Sequence, residues 1–321
     1  MAMIETRKLT KTFKSRKGPV EAVRGVDLHV NEGEIFGFLG PNGAGKTTTM
    51  RMLSTLLDPT DGQATVCGYD LRREPAKVRT QIGYVGQKGG AEGKETGREN
   101  LVLQGRLYGM SRADALKRAA ELISRLDLES FADRLAKTYS GGQRRRLDIA
   151  MGMMHRPHLL ILDEPTTGLD PQSRARIWDE VRSLRSEGMT IFLTSHYMDE
   201  ADTLCDRLAI IDNGKIVGED SPKALKQQIA GDIISLGLNM QNGTSARVKE
   251  NLKAQDFLRE LQETDAGLQL YVDRGDEVLP QVLRMLDANG ATIRNVTLAR
   301  PTLEDVFLRL TGRSLREEQT A

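Results

Sequence analysis

Two cysteines, Cys67 and Cys205, stand far apart in 321 residues and neither has a CxxC neighbour, so the chain offers no disulfide framework and no zinc site. A reducing, cytosolic compartment is the expectation. No run approaches the roughly 18 consecutive apolar residues of a membrane span, and the N-terminal MAMIETRKLT has no apolar core of signal-peptide length. The chain is therefore not expected to cross a bilayer by itself. It also lacks a dominant charge: 46 basic and 45 acidic side chains leave a net charge of +1, which argues against whole-surface attraction to nucleic acid or anionic lipid. No 20 to 50 residue repeat and no low-complexity tract is present. The length and apolar content suit one large globular domain, or a main domain with a smaller companion.

What is present is alternation of strands and helices. Residues 3 to 40 read as short strands: IETRKLTKTF, VEAVRGVDLHV and, after an Asn-Glu-Gly turn, the apolar run Glu34 to Leu39. That last run leads straight into GPNGAGKTTTM, and Lys46 to Leu57 carries a helical apolar pattern. From about 89 to 157 the chain reads as an inserted helical subdomain. Strands at Leu159–Leu162 and Thr190–Thr194, with a helix at Arg174–Glu187 between them, predict a parallel sheet. RLAIID and KIVGED flank Asn213-Gly214, a type I′ hairpin signal that closes the main domain near residue 220. Residues 222–312 read as a small α+β domain: IISLGL, a polar helical stretch, LQLYV, the helix EVLPQVLRMLD, IRNVTLA, and a terminal helix from Pro301-Thr302 to Gly312. A polar tail, 313–321, is expected to be mobile.

The chemistry concentrates in two places. Gly40-Pro41-Asn42-Gly43-Ala44-Gly45-Lys46-Thr47, followed by Thr48, satisfies G-x-x-x-x-G-K-[ST] in the strand-to-helix context the motif requires. Its glycines let backbone N–H groups converge on phosphate oxygens, and the helix N-terminus adds its dipole. Lys46 is expected to neutralise the β and γ phosphates and the Thr47 hydroxyl to reach Mg²⁺. The second place is the strand Leu159–Leu162, which ends in Asp163 and Glu164. Alone, Asp-Glu-Pro reads as a solvated turn at a strand end. Behind a matched phosphate loop, Asp163 reads as the carboxylate for Mg²⁺ and Glu164 as the group that polarises the attacking water.

Between them, Tyr139-Ser140-Gly141-Gly142-Gln143 leads into RRRLDIAMGMM and resembles the signature sequence of ATP-binding-cassette (ABC) ATPases, with Tyr where Leu is commoner. Gln87 after IGYV resembles the Q-loop residue of that family, Gly168-Leu169-Asp170 its D-loop, and His196 after TIFLTS its switch histidine. The resemblance covers residues 3 to 220. It implies an α/β fold: a P-loop NTPase (RecA-like) ABC ATPase core with an antiparallel β subdomain and a helical subdomain over 1–221. It implies ATP and Mg²⁺ as cofactors, Gln87 as a Mg²⁺ ligand and coupling residue, and His196 working with Glu164. Ser140 and two glycines at a helix N-terminus form a second anion site, yet the chain's own ATP is already bound by the first loop. It must then face another ATP. The resemblance implies that Ser140, Gly141, Gly142, Gln143 and Asp170 meet the ATP of a second subunit placed head to tail, and one complete set of motifs in this chain makes the expected assembly a homodimer with two equivalent sites. Phe13 reads either as the family's aromatic residue against adenine or as a core aromatic. His29, His155 and His158 read as surface or structural residues. Arg144, Arg145 and Arg146 read as a solvated helix face, and Trp178, Met151, Met153 and Met154 as core.

Gly97-Arg98-Glu99-Asn100-Leu101, YSGGQRRRLDIA and the late TLEDVFLRLTG together resemble the drug-resistance subfamily typified by daunorubicin and doxorubicin exporters. That resemblance implies an ATPase at the cytoplasmic face of the membrane, working with a permease on a separate chain to export a drug, antibiotic or lipid-like compound. The 222–312 domain is read as an accessory, regulatory or dimerisation domain. The departure from the family is Lys88 to Glu95, rich in glycine and charge where the transporter-facing surface is expected. Two other classes of ATPase differ from this chain in layout. Ribosome-acting ATPases of the family resemble two cassettes fused in one chain, and DNA-maintenance ATPases place a long coiled coil between phosphate loop and signature. Here there is one cassette, with under a hundred residues between Thr48 and Tyr139.

Overall fold

The structure, a computed structural model, describes residues 1–16, 18–229, 231–239, 244–264, 267–289 and 291–311. Gly312 and the polar tail lie outside the described residues. The alternating N-terminal residues form two strands of twelve residues rather than short ones: β1 (Ala2–Phe13) and β2 (Val20–Asn31) pair antiparallel, with register shifts that let them twist. One face is apolar and buried, through Ile4, Leu9, Val23, Val26, Leu28 and Val30. β3 (Ile35–Leu39) is buried at all five positions, and α1 (Lys46–Leu53) follows the glycine loop. β4 (Asp61–Val66) returns to pair with β1, and the short β5 (Tyr69–Asp70) completes a sheet in the order β2-β1-β4-β5. β4 escapes sequence reading because only Ala64 and Val66 of DGQATV are buried.

α2 (Pro75–Gln81) and β6 (Ile82–Val85) lead into three helices: α3 (Gly97–Leu107), α4 (Arg112–Arg125) and α5 (Gly141–Gly152). Each begins at a side-chain cap, Thr96, Ser111 and Ser140 respectively, which bonds a backbone N–H of the first turn. β7 (Leu159–Asp163), α6 (Pro171–Ser186), β8 (Thr190–Ser195), α7 (Met198–Leu204), β9 (Arg207–Asp212) and β10 (Lys215–Asp220) complete a six-stranded sheet. Its order is β10-β9-β3-β8-β7-β6, parallel from β9 to β6, with β10 joined antiparallel by the Asn213-Gly214 turn. Asn213 and Gly214 both take positive φ, as that turn demands. β3, β8 and β7 are buried throughout, as strands covered on both faces must be. Phe36 and Phe192 stack across β3 and β8 at 5.9 Å.

The chain divides into two compact units, Met1–Asp220 and the residues from Ser221 onward. The second contains α8 (Pro222–Ile229), β11 (Asp232–Asn239), α9 (Thr244–Lys253), β12 (Leu258–Thr264), β13 (Gly267–Val272), α10 (Gly275–Ala288), β14 (Thr292–Ala299) and α11 (Leu303–Thr311). Its sheet is antiparallel, in the order β12-β13-β11-β14. It has its own core, in which Ile234, Leu236, Leu268, Leu270 and Val272 meet Val248, Leu252, Val278, Val282 and Leu286 from the helices. α8 and β12 are additions to the sequence reading; LRELQET is too polar to announce a strand.

One expectation is overturned here. Arg144, Arg145 and Arg146 do not form a solvated face: Arg145 and Arg146 are buried and all three bond backbone carbonyls. Charge repeated on a helix says nothing of what carbonyls the fold will bring to it. Trp178 is half-buried rather than core and donates from its indole to Glu200 at 3.1 Å; Met151 is also half-buried, while Met153 and Met154 are core.

Candidate active site

Parallel pairing fixes where the chemistry meets. Leu39 lies beside Ser195 and Asp163 beside Thr194, so the phosphate loop after β3, the acids at the end of β7 and His196 after β8 share one edge of the sheet. This is the carboxyl end, where parallel sheets bind ligands. The loop has no room for larger residues at two of its glycines. A Cβ at Gly40 would stand 2.3 Å from the Ile211 carbonyl oxygen, and one at Gly45, whose φ is 109°, 2.6 Å from that of Ala22. Pro41, Ala44 and Gly45 are buried; Asn42, Gly43 and Thr47 are exposed, and Thr48 is half-buried. Lys46 is only 4% exposed, and its ammonium donates to the carbonyls of Gly40 at 2.6 Å and Pro41 at 3.0 Å.

Glu164 is the centre of the cluster. Its Oε2 accepts from Gln87 Nε2 at 2.9 Å and Thr167 Oγ1 at 3.2 Å, while Oε1 lies 3.3 Å from His196 Nδ1 and 3.9 Å from Lys46 Nζ. The backbone supports this: Glu164 takes φ 44°, rare for a residue with a side chain, and its N–H donates to Thr194 Oγ1 at 3.0 Å. Thr194 in turn donates to Asp163 Oδ1 at 2.7 Å. His196 beside it, then Lys46, hold the Glu164 carboxyl below the usual glutamate range against the opposing effect of burial. Asp163 goes the other way: burial raises it, outweighing the Thr194 bond, and the neighbouring Glu164 adds to the rise. Thr194 and Thr167 escape sequence reading; for Thr194 the available signal is a hydroxyl at the buried end of the apolar strand TIFLTS.

The signature residues form a separate place. Ser140 caps α5 and exchanges bonds with Gln143: the Gln143 N–H donates to Ser140 Oγ at 3.3 Å and the Ser140 N–H to Gln143 Oε1 at 3.0 Å. Ser140 and Gly141 are exposed. A Cβ at Gly142 would stand 2.7 Å from Ser173 Oγ on α6, whose cap is Asp170, accepting from the Ser173 N–H at 2.9 Å. Signature and D-loop are thus packed together. Phe13 is 39% exposed at the end of β1, with the Lys11 ammonium 5.3 Å from its ring centre. It is not a core aromatic. His29 and His158 are exposed, and His155 bonds the Ile82 carbonyl and stacks on Tyr108.

Nucleotide and magnesium suit these residues. Lys46 and the loop present positive charge over a glycine turn, while the Asp163 carboxyl, the Gln87 amide and the Thr47 hydroxyl offer the oxygen ligands that Mg²⁺ prefers. Among the described residues no group of three or more His, Cys, Asp or Glu could hold a metal alone. Mg²⁺ takes one or two protein oxygens and completes its shell with phosphate and water.

Known proteins resemble this chain in sequence and fold. Residues 23–167 match the family described as ABC transporter, and residues 221–311 match that described as ATP-binding protein DrrA1-3-like, C-terminal domain. The chain belongs to the ABC transporter family and is an ATPase of it. It is 43% identical over 300 residues to the daunorubicin resistance ATP-binding protein DrrA2 of Streptomyces coeruleorubidus, covering 94% of this chain and 93% of that one. It is 43% identical over 318 residues to the daunorubicin/doxorubicin resistance ATP-binding protein DrrA of Streptomyces peucetius, covering 99% and 94%. Among solved structures it resembles the dimeric post-hydrolysis state of the ATP-binding cassette MJ0796 bound to ADP and Pi. There the TM-score is 0.63 at 28% identity, over 68% of this chain and 98% of that one.

Proposed function

We propose that this chain energises export of a drug, antibiotic or lipid-like compound through a permease carried on another polypeptide, working as a homodimer that holds Mg²⁺ATP at two equivalent interfaces. The observation that carries the hydrolytic part is Glu164, kept ionised beside Lys46, His196 and Gln87 at the mouth of the phosphate loop. In this reading Lys46 and residues 40–48 bind the phosphates, Thr47, Gln87 and Asp163 attend the Mg²⁺, and Glu164 takes the proton of the attacking water with His196 orienting it. Phe13 lies against adenine. Ser140, Gly141, Gly142, Gln143 and Asp170 complete the partner's site; the exposed, glycine-lined start of α5 supports this. The daunorubicin resistance named for the relatives supports the substrate class. No helix among the described residues is long and apolar enough to cross a membrane, which accords with a peripheral place on the cytoplasmic face beside a permease. The nucleotide-binding domain is read as residues 1–221, with its helical subdomain at about 89–157, and the accessory domain as 222–312.

Glu164→Gln keeps the shape and removes the base. ATP binding should persist, turnover should fall by about a hundredfold or more, and ATP should shift the variant to dimer in size-exclusion chromatography. Wild-type hydrolysis by this variant would remove Glu164 from the role. Gentle solubilisation of native membranes, followed by mass spectrometry of what co-purifies, tests the transporter part: a polytopic membrane protein in comparable amount is expected.

A further inference from the structure

Gln87 rides on a loop, residues 86 to 91, that belongs to no strand or helix, yet side chains of α5 grip it at both ends. Arg145 Nη1 donates to the Gly86 carbonyl at 2.7 Å, and Arg144 Nη2 to that of Ala91 at 2.6 Å. Asp148 Oδ1 accepts from the N–H groups of Gly90 at 2.9 Å and Ala91 at 3.2 Å. Gly89, at φ 70°, lies so close to this carboxylate that a Cβ would stand 2.4 Å from Asp148 Oδ2. The glycine-rich composition that sets Lys88–Glu95 apart therefore has a local cause: the loop is laid against α5 and bonded to it through its backbone.

Arg145 also reaches further. Its Nη2 donates at 2.9 Å to the Asp163 carbonyl, whose carbon is bonded to the nitrogen of Glu164. One buried guanidinium, 6% exposed, thus spans the start of the Gln87 loop and the peptide that aims Glu164, and it is anchored on the helix that Ser140 caps. Its Nε is buried with no hydrogen-bond partner. A buried cation with an unpartnered N–H is not what packing alone would favour, because an apolar side chain of similar length is often as stable in such a place.

We propose that Arg145 is a positioning residue for ATP hydrolysis: it makes the Gln87 loop, the Asp163–Glu164 peptide and the signature helix one mechanical piece. Gln87 and Glu164, which meet at 2.9 Å, then keep their relation only while α5 is in place. This rests on the reading of Glu164 as the group that activates water. Arg145 itself touches no reacting atom.

The test uses the full chain and three variants: Arg145→Met, Arg145→Lys and, for comparison, Arg146→Met. Arg146 is the next buried arginine of α5, but it reaches the carbonyls of Leu126 and Asp127 and the carboxylate of Glu180, away from the Gln87 loop. ATP affinity by fluorescent-nucleotide displacement, kcat and KM by steady-state hydrolysis, and Tm are read for each. Arg145→Met should lower kcat about tenfold or more while ATP affinity stays within about threefold, since misplacement of the reacting groups costs rate rather than binding. Arg145→Lys keeps the charge with a single nitrogen and should recover part of that loss. Arg146→Met should lower Tm with kcat largely retained. Wild-type kcat in either folded Arg145 variant overturns the proposal, as does a fall of kcat accompanied by an equal loss of ATP affinity, or one that Arg146→Met reproduces at a similar loss of Tm. If Arg145→Met does not fold, Arg145→Lys decides: unchanged kcat overturns, and lowered kcat at unchanged affinity supports. Failure of the underlying reading shows elsewhere, as wild-type turnover in Glu164→Gln.

Discussion

Two glutamates in this chain are pushed in opposite directions, and each carries a pH signature. Glu164 is depressed below its ordinary value of 4.5, so the stability its carboxylate contributes is present above that pH and is lost as pH falls through the folded value. Glu180, on α6, is raised to about 8 because burial outweighs Arg146, 3.7 Å away, and its Oε2 is buried without a hydrogen-bond partner. For a group raised above its unfolded value the folded state holds the extra proton. Its contribution is therefore complete below pH 4.5 and lost as pH rises from there to about 8. Denaturant titrations across that window should show a downward slope in the wild type that Glu180→Gln flattens. A slope unchanged by the substitution would assign it to other groups. Neither shift was legible in the sequence, where Glu180 is one acid on an amphipathic helix and its environment comes from α5.

Elements were legible where local chemistry and fold agree. The phosphate loop announces itself because only glycine fits at Gly40 and Gly45, and Gly40→Ala would push a methyl into the Ile211 carbonyl. That substitution should shift the loop, weaken ATP binding about tenfold or more and lower Tm; unchanged nucleotide affinity in a displacement titration would contradict the packing described. The signature helix likewise carries its own start signal in Ser140 and Gln143. The cap of α3 by Thr96 and Glu99 is of the same kind. What stayed hidden was chemistry decided by distant chain. β4 and β12 are strands because of the partners they pair with, not because of their own composition. The three arginines of α5 were read as solvated because a sequence does not reveal that the carbonyls of Gly86, Ala91, Leu126 and Asp163 lie within their reach.

At the scale of the whole molecule, the two units each close a hydrophobic core of their own. The chain ending at Asp220 should therefore fold and bind ATP by itself, with Tm within a few degrees of the same unit in the full protein. We expect it to dimerise more weakly or to lose coupling to transport, as an accessory domain implies. Analytical ultracentrifugation with ATP, beside a transport assay, checks this; full transport by the shortened chain would deprive the second unit of that role. The order of the chemistry-bearing motifs was readable across the first unit, whereas the second carries no phosphate-binding signal and was placed only by its alternation of apolar runs.

The larger sheet has two edges, and β10 is one of them. A bulge between Ile216 and Gly218 interrupts its pairing, and Lys215, Glu219 and Asp220 put charge along it. An edge so broken and charged is a poor template for a foreign strand. That margin therefore offers a second sheet little to pair with.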